Sequence, residues 1–524
     1  MFPLSSTVHV SHWSFLLPLL LFCRVVYTRW IRNRLNHFPP GPSPIPLLGN
    51  VHQLPMEYQE RKFVQWRKAF GDIIFARFFQ TNVIVLNSAQ VAKELLEKRS
   101  ANYSDRPPMV LQGEIMDFER MLTHTRYGER FRKLRKWTRD AFMDKTTLNT
   151  YKPIQLRETY TLLAGLLETP ERFDELFTRF TAATITEITY GHTVTSLDDQ
   201  YIHLAAQTAA ETTENGTPGS MLVDFFPILK HYPLWLPGSS WKEKALEIKQ
   251  LGRLMSDVPY KMVKDKMASG TARQCFVSTL LDEFYQQDST PTPQDEEDIS
   301  CAAAVLYGAG TETTANVFAA FILAMTQHPE VLKKAQEEID RVVGPGRLPD
   351  FGDRDSLPYL DCIIREVFRW HPPVPMGIPH YSMKDDQYRH YNIPAECMMI
   401  ANIWGMTRDT EYFPDPEVFC PERFEKWDRS GSHIMDPHNL VFGFGRRQCP
   451  AQNFAESNVY LVLAHIIATM DITKAVGAKG IPITPEHKYK SGFVHSHHLP
   501  FQCTIRPRSA EVADLIRQLA SGET

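Results

Sequence analysis

Hydrophobic residues form one long run at the start of the chain and shorter periodic groups after it. Between Val8 and Tyr27 the run centres on Phe15, Leu16, Leu17, Leu19, Leu20, Leu21 and Phe22. About 20 such residues span a bilayer, so the pattern predicts a single transmembrane helix, interrupted by His9, His12 and Arg24 and bent at Pro18. No Lys or Arg precedes the run, whereas Arg24, Arg29, Arg32 and Arg34 follow it. That order is the reverse of a cleaved signal peptide's, and by the positive-inside rule it keeps the body in the cytosol. Phe38-Pro-Pro-Gly-Pro42, with Pro44 and Pro46, then predicts a stiff extended spacer. The expected division is an anchor with its basic flank at 1–37, a hinge at 38–50 and a body over 51–524.

In the body, alternation at Ile73–Phe78 and Val83–Asn87 predicts a short hairpin, and Ala89–Lys98 a helix after it. Residues 104–123 read as irregular, and 150–285 as mostly helical with a break at the proline- and aromatic-rich Phe225–Pro237. Asp295–Asp298 suit a helix N-terminus, and the helical pattern that follows runs to about Gln327, where Pro329 opens another. Leu357–His371 and the segment around Val459, Leu461, Leu463, Ile466 and Ile467 are also helical in pattern. The fold class is mainly α with small β-sheets.

Composition narrows this picture without changing it. At 43% hydrophobic and 23% charged residues the chain is an ordinary globular one, and a net charge of −4 gives no footprint for nucleic acid. The 524 residues carry no repeats or flexible linkers, so one large domain is expected. Eight scattered cysteines exclude structural zinc spacing and a secreted disulfide framework, and fit a reducing compartment.

Three stretches stand out chemically. Ala309-Gly-Thr-Glu-Thr-Thr314 puts a glycine and four polar residues inside a long apolar helix, which weakens packing unless the site is used. Gly310 and back-bonding hydroxyls would permit a local opening there. Glu366 and Arg369 lie three apart on one helix face. In Phe442-Gly-Phe-Gly-Arg-Arg-Gln-Cys-Pro-Ala451, Gly443 and Gly445 allow a tight loop, and Cys449 precedes a helix whose N-terminus favours a thiolate. Arg447 offers a fork for a carboxylate.

Phe442, Gly445, Arg447 and Cys449 resemble the haem-ligand loop of the cytochrome P450 family, with Ala451 where the family usually has glycine. The helix motif, Glu366-x-x-Arg369 and Pro421-Glu-Arg-Phe424 follow the same family's pattern, and the resemblance covers nearly everything after residue 38. It implies a P450 fold, a haem bound through the Cys449 thiolate, and proton delivery through Thr313 and Glu312. It makes Arg423 the third member of a scaffold lock with Glu366 and Arg369. Arg135 and His380 take propionate-binding positions beside Arg447, while Phe131 replaces a tryptophan and removes its N–H. Pocket positions by resemblance are Met109, Val110, Met116, Phe118, Leu306, Tyr307, Ala309, Val374, Met376, Ile378 and the loop Gly492, Phe493 and Val494.

The implied activity is a monooxygenase of the endoplasmic-reticulum membrane, single-pass with a cytosolic body, using O2 and NADPH electrons relayed by a separate NADPH–cytochrome reductase. Lys133 and Lys136 on the basic segment 127–137 are candidate docking residues for it. The motifs look most like fungal enzymes of secondary metabolism, including a group similar to O-methylsterigmatocystin oxidoreductases. A lipophilic terpenoid, polyketide or indole substrate follows, terpenoid slightly ahead. The rivals are a haem-thiolate isomerase or dehydratase, which needs no proton relay, and a non-catalytic haem-binding protein.

Overall fold

A computed structural model describes residues 37–196, 198–215, 222–426, 435–477, 479–491 and 496–522. The apolar run at Val8–Tyr27 lies outside the described residues. Among the described residues, no helix is long and apolar enough to cross a membrane.

The main helices are α1 (Gln59–Phe70), α2 (Glu129–Met143), α3 (Lys145–Glu168), α4 (Phe173–Tyr190), α5 (Gln200–Asn215), α6 (Ser240–Ala268), α7 (Phe276–Gln286), α8 (Pro293–Gln327), α9 (Pro329–Val342), α10 (Pro358–Trp370), α11 (Gln452–Thr469) and α12 (Ala510–Ser521). The strands are short. Ile73–Phe78 (β1), Thr81–Leu86 (β2), His380–Tyr381 (β3) and Met398–Ala401 (β6) make one sheet in the order β1-β2-β6-β3. Asp386–Tyr388 (β4) pairs with Tyr391–Ile393 (β5), Met470–Lys474 (β7) with Cys503–Pro507 (β10), and Tyr489–Ser491 (β8) with Ser496–His498 (β9). The hairpin β1–β2 is antiparallel with Ile73 opposite Leu86, and β6 joins β2 in parallel.

The central element is α8. Its start is set by a capping box in which Thr292 and Asp295 satisfy each other's backbone N–H, with Pro293 at the first position. Its first half, Ile299 to Tyr307, packs into one apolar core with Phe131, Leu134, Ile188 and Ile248. Its last third, Val317 to Met325, packs into another with Phe177, Ile363, Val459 and Leu463. The polar segment read from the sequence is the gap between these two cores. Helix α8 runs unbroken through Gly310, so the local opening expected there is not present.

Two connections differ from expectation. The proline-rich spacer packs on the sheet: Phe38 stacks on Phe75 with centroids 4.5 Å apart, and the Phe75 N–H donates to the Pro40 carbonyl. The segment 104–123 contains short helical turns at Val110–Ile115 and Phe118–Arg120. Around 225–237 the helices are interrupted, with only a short turn at Pro227–His231.

Candidate active site

The cysteine loop is built by backbone geometry. Gly443 and Gly445 have φ of +78° and +57°, in the left-handed region that disfavours side chains. A Cβ on Gly445 would lie 2.2 Å from the Leu96 carbonyl oxygen, so this position admits glycine alone. The Cys449 N–H donates to the Phe442 carbonyl at 2.8 Å and closes the loop. Ala451 has an ordinary φ of −99°, which explains why alanine is accepted there.

Burial pushes the Cys449 thiol up, while the Ala451 N–H and the charge of Arg135 pull it down. The helix start expected to favour a thiolate is therefore outweighed by desolvation. A coordinating cation would supply the missing driving force, since a metal-bound thiol ionises outright.

Beside the loop stands a wall of basic side chains, with Arg106 and His380 buried and Arg447 half-buried. Arg447 donates from Nε to the Ser104 carbonyl and from Nη2 to that of Thr125, both at 2.7 Å. Arg106 donates from Nε to Thr123, and from Nη1 to both Ile378 and Pro379. Burial and the neighbouring Arg447 charge push the Arg106 pKa well below its ordinary value. His380 presents Nδ1 to the Tyr103 carbonyl at 2.7 Å, which makes Nδ1 the donor. Burial, then the Arg106 charge, hold that ring at about 3, so it is neutral at neutral pH. The nearby carboxylate, Asp105, is taken by Arg126 and the Tyr127 N–H.

Buried positive charge thus exceeds buried negative charge along this wall, and carbonyl dipoles only partly offset it. An anionic group carrying two carboxylates fits that imbalance, as haem does beside a cysteine ligand. Arg106 was missed in the sequence. Its only signal is a charged pair, Asp105-Arg106, set before two prolines in an otherwise apolar loop. Arg135 is depressed by burial and lifted by Cys449, which places it at the same loop.

On α8, the Thr313 hydroxyl donates to the Ala309 carbonyl and the Thr311 hydroxyl to that of Tyr307, both at 2.8 Å. With its proton committed, the Thr313 oxygen still accepts. Burial pushes Glu312 up to about 7. Leu306 is buried, and Ala309 is exposed on the open side of the helix.

The proposed pocket residues divide. Val110, Met116 and Phe118 pack into the core that contains the first half of α8, and Met109 is buried next to them in sequence. Val374 and Ile378 are half-buried. Met376 packs with Phe63, Ile74 and Ile400 in the core on the sheet. Tyr307 bonds through its hydroxyl to the Tyr201 carbonyl and sits edge-on to Tyr190, so it braces α8 against α4 and α5. Phe493, with Gly492 and Val494, lies outside the described residues.

Glu366 is completely buried and clasped from both sides. Arg369 meets both its oxygens at 2.7 Å, Arg423 approaches at 3.2 Å, and the Cys420 N–H donates at 2.8 Å. Arg369 spends its remaining donors on the Thr407, Pro416 and Val418 carbonyls.

The basic segment is reorganised relative to expectation. Lys133 pairs with Asp295 and Asp298, so it ties α2 to the start of α8 and is not a free docking charge. A surface hollow of about 240 Å³ remains, lined by Tyr127, Phe131, Arg132, Arg135, Lys136, Arg139 and Arg446.

The Cytochrome P450 family profile matches residues 39–492. Cytochrome P450 monooxygenase 176 of Postia placenta is 43% identical over 96% of both chains. Cytochrome P450 monooxygenase claR of Ampulloclitocybe clavipes is 38% identical, over 92% of this chain and 89% of its own. Cytochrome P450 monooxygenase ppsD of Aspergillus oryzae is 36% identical, over 96% and 95%. With a glycine-shaped cysteine loop, a cationic wall and a polar gap in its central helix, this chain belongs to the cytochrome P450 family and is a haem-thiolate monooxygenase.

Proposed function

We propose that the protein oxidises a lipophilic secondary metabolite, terpenoid before polyketide or indole, with Cys449 as the axial haem ligand. Arg106, Arg135 and Arg447 would hold the propionates, and His380 would join them once their charge protonates its Nε2. When bound, the haem activates O2 with two electrons from NADPH, relayed by a separate reductase, and supplies the oxygen atom that enters the substrate.

The carrying observation is Glu312, raised to about 7 in the gap between two apolar cores. Near that value both protonation states are populated at neutral pH, which suits a residue that takes a proton and passes it on. Thr313, whose own proton rests on the Ala309 carbonyl, keeps an oxygen that would accept a hydrogen bond from a water passing the proton on. An isomerase or dehydratase needs no such relay. Val110, Met116 and Phe118 share an apolar core with Leu306 of this helix, which favours a lipophilic substrate. Glu366, Arg369 and Arg423 act as scaffold.

The body would lie against the endoplasmic-reticulum membrane with a single-pass anchor ahead of it. Leu47, Ile228 and Trp235 are 77%, 75% and 81% exposed. Phe79, whose N–H donates to the Leu48 carbonyl, meets Phe226 edge-on at 5.3 Å and joins the spacer to the aromatic break at Phe225–Pro237. Such an apolar rim suits a lipid surface.

The test uses microsomes carrying the protein and a fungal reductase, with NADPH and heavy-isotope O2. Terpenoid, polyketide and indole scaffolds are screened by mass spectrometry against Cys449→Ala. A product with one heavy oxygen, absent from the variant, is the expected result. Products formed without NADPH or without the heavy atom would assign an isomerase instead.

A further inference from the structure

Three histidines far apart in the chain converge behind α10. His371 follows the last residue of the helix, His487 precedes β8, and His498 ends β9. One ring nitrogen from each lies within 4.8 Å of the others. His487 Nε2 and His371 Nδ1 are 3.4 Å apart. The His371 and His498 rings lie 3.8 Å apart between centroids, and His487 and His498 are 5.5 Å apart.

We propose that His371, His487 and His498 form a binding site for one zinc-class divalent transition-metal ion. Nitrogens at ~2.0–2.1 Å from a tetrahedral ion are about 3.3–3.4 Å from one another, which is the separation that His371 and His487 already show. His498 must close by up to about 1.5 Å, a movement that rotation of its side chain can supply. An all-imidazole set selects zinc, nickel or copper over magnesium or calcium, which take oxygen ligands.

The surroundings support the geometry. Trp370 stacks on His487 at 3.7 Å and fixes its ring plane. The charges facing the triad are Arg61, Arg408 and Arg369, the last of them paired with Glu366. Arg408 is matched by Glu417 at 3.2 Å, and Arg61 bonds the Tyr489 hydroxyl, which in turn meets Glu60. His371 is buried while the other two are half-buried, and His487 lines a surface hollow of about 240 Å³ that gives an ion a way in. The bound ion would cross-link the end of α10, the helix of Glu366 and Arg369, to the β8–β9 hairpin. None of the three histidines belongs to the cysteine loop.

The test takes the full-length haem-loaded protein in detergent, washed with chelator and titrated with zinc, or with cobalt as a spectroscopic probe. His487→Gln and His498→Gln are titrated alongside, their haem spectrum serving as the check on folding. One equivalent of zinc should bind to the parent and raise its Tm by about 1–3 °C. Each variant should bind at least about tenfold more weakly, and magnesium should do nothing. Should either variant lose its haem, X-ray absorption of the zinc-loaded parent decides in its place. A shell of three imidazole nitrogens supports the site, and a sulfur or all-oxygen shell overturns it. Equal zinc affinity in parent and both variants, or no uptake at about 10 µM zinc, would also overturn it.

Discussion

The Arg447 guanidinium lies 3.8 Å above the centroid of the Phe131 ring. This contact joins the cysteine loop to α2 at the position where the family has a tryptophan, and it ties the two by stacking without an indole N–H. A desolvated cation–π pair of this kind is worth about 1–2 kcal/mol. Phe131→Leu should keep most of the buried volume, lower stability by about that amount and speed haem loss. Phe131→Trp should retain the stacking. Haem dissociation to an acceptor globin, followed by absorbance, measures both.

The buried trio predicts a sharp asymmetry among arginines. Arg369→Ala leaves Glu366 as a half-compensated buried charge and should cost about 3–5 kcal/mol, enough to abolish accumulation of haem-loaded protein. Arg517→Ala, which removes an exposed pair with Asp514, should cost less than about 0.5 kcal/mol. The carbon-monoxide spectrum of reduced membranes reports both.

Gly445→Ala should fail for two reasons that add: a left-handed backbone angle and a clash with the Leu96 carbonyl. The angle alone costs about 1–2 kcal/mol. Ala451→Gly, at an ordinary angle, should leave haem content unchanged. A spectrum of each purified variant separates the cases.

Glu312 gives a pH dependence with a definite sign. Its folded pKa, about 7, is above its ordinary value of 4.5, so between these limits the folded protein holds more protons than the unfolded. Stability contributed by the neutral acid is therefore present below about 4.5 and is lost as pH rises through about 7. Glu312→Gln should remove that slope, seen as a difference in Tm across the range. It should also lower product formed per NADPH consumed and flatten its pH profile near 7.

Charge reversal on α2 should act in two different ways. Lys136→Glu, in the basic hollow, should weaken reductase coupling, most strongly at low salt. Lys133→Glu removes a partner of Asp295 and Asp298 and should instead lower the melting temperature. Reductase titrations at two ionic strengths, paired with thermal melts, distinguish them.

Local pattern determined the elements of this protein. The long helix was bounded within a few residues because Thr292, Pro293, Asp295 and Pro329 are signals carried by neighbours in sequence. The hairpin β1–β2 followed from alternation, and the cysteine loop from glycines whose angles are a local property. Spacing alone put Glu366 and Arg369 on one face. Only the tertiary structure decided that the pair is buried and that Arg423 joins it, because burial depends on segments 40 or more residues away. The same holds for Arg106, which gained its meaning from the carbonyls of Thr123, Ile378 and Pro379. The contacts of Met376 in the sheet core and of Tyr307 on the Tyr201 carbonyl are likewise set by distant segments. The thiol of Cys449 went the same way: a helix start argues for its charge, and desolvation by the assembled fold outweighs it. Sequence fixes what each segment can form locally, whereas packing decides which face is dry and which charge must find a partner.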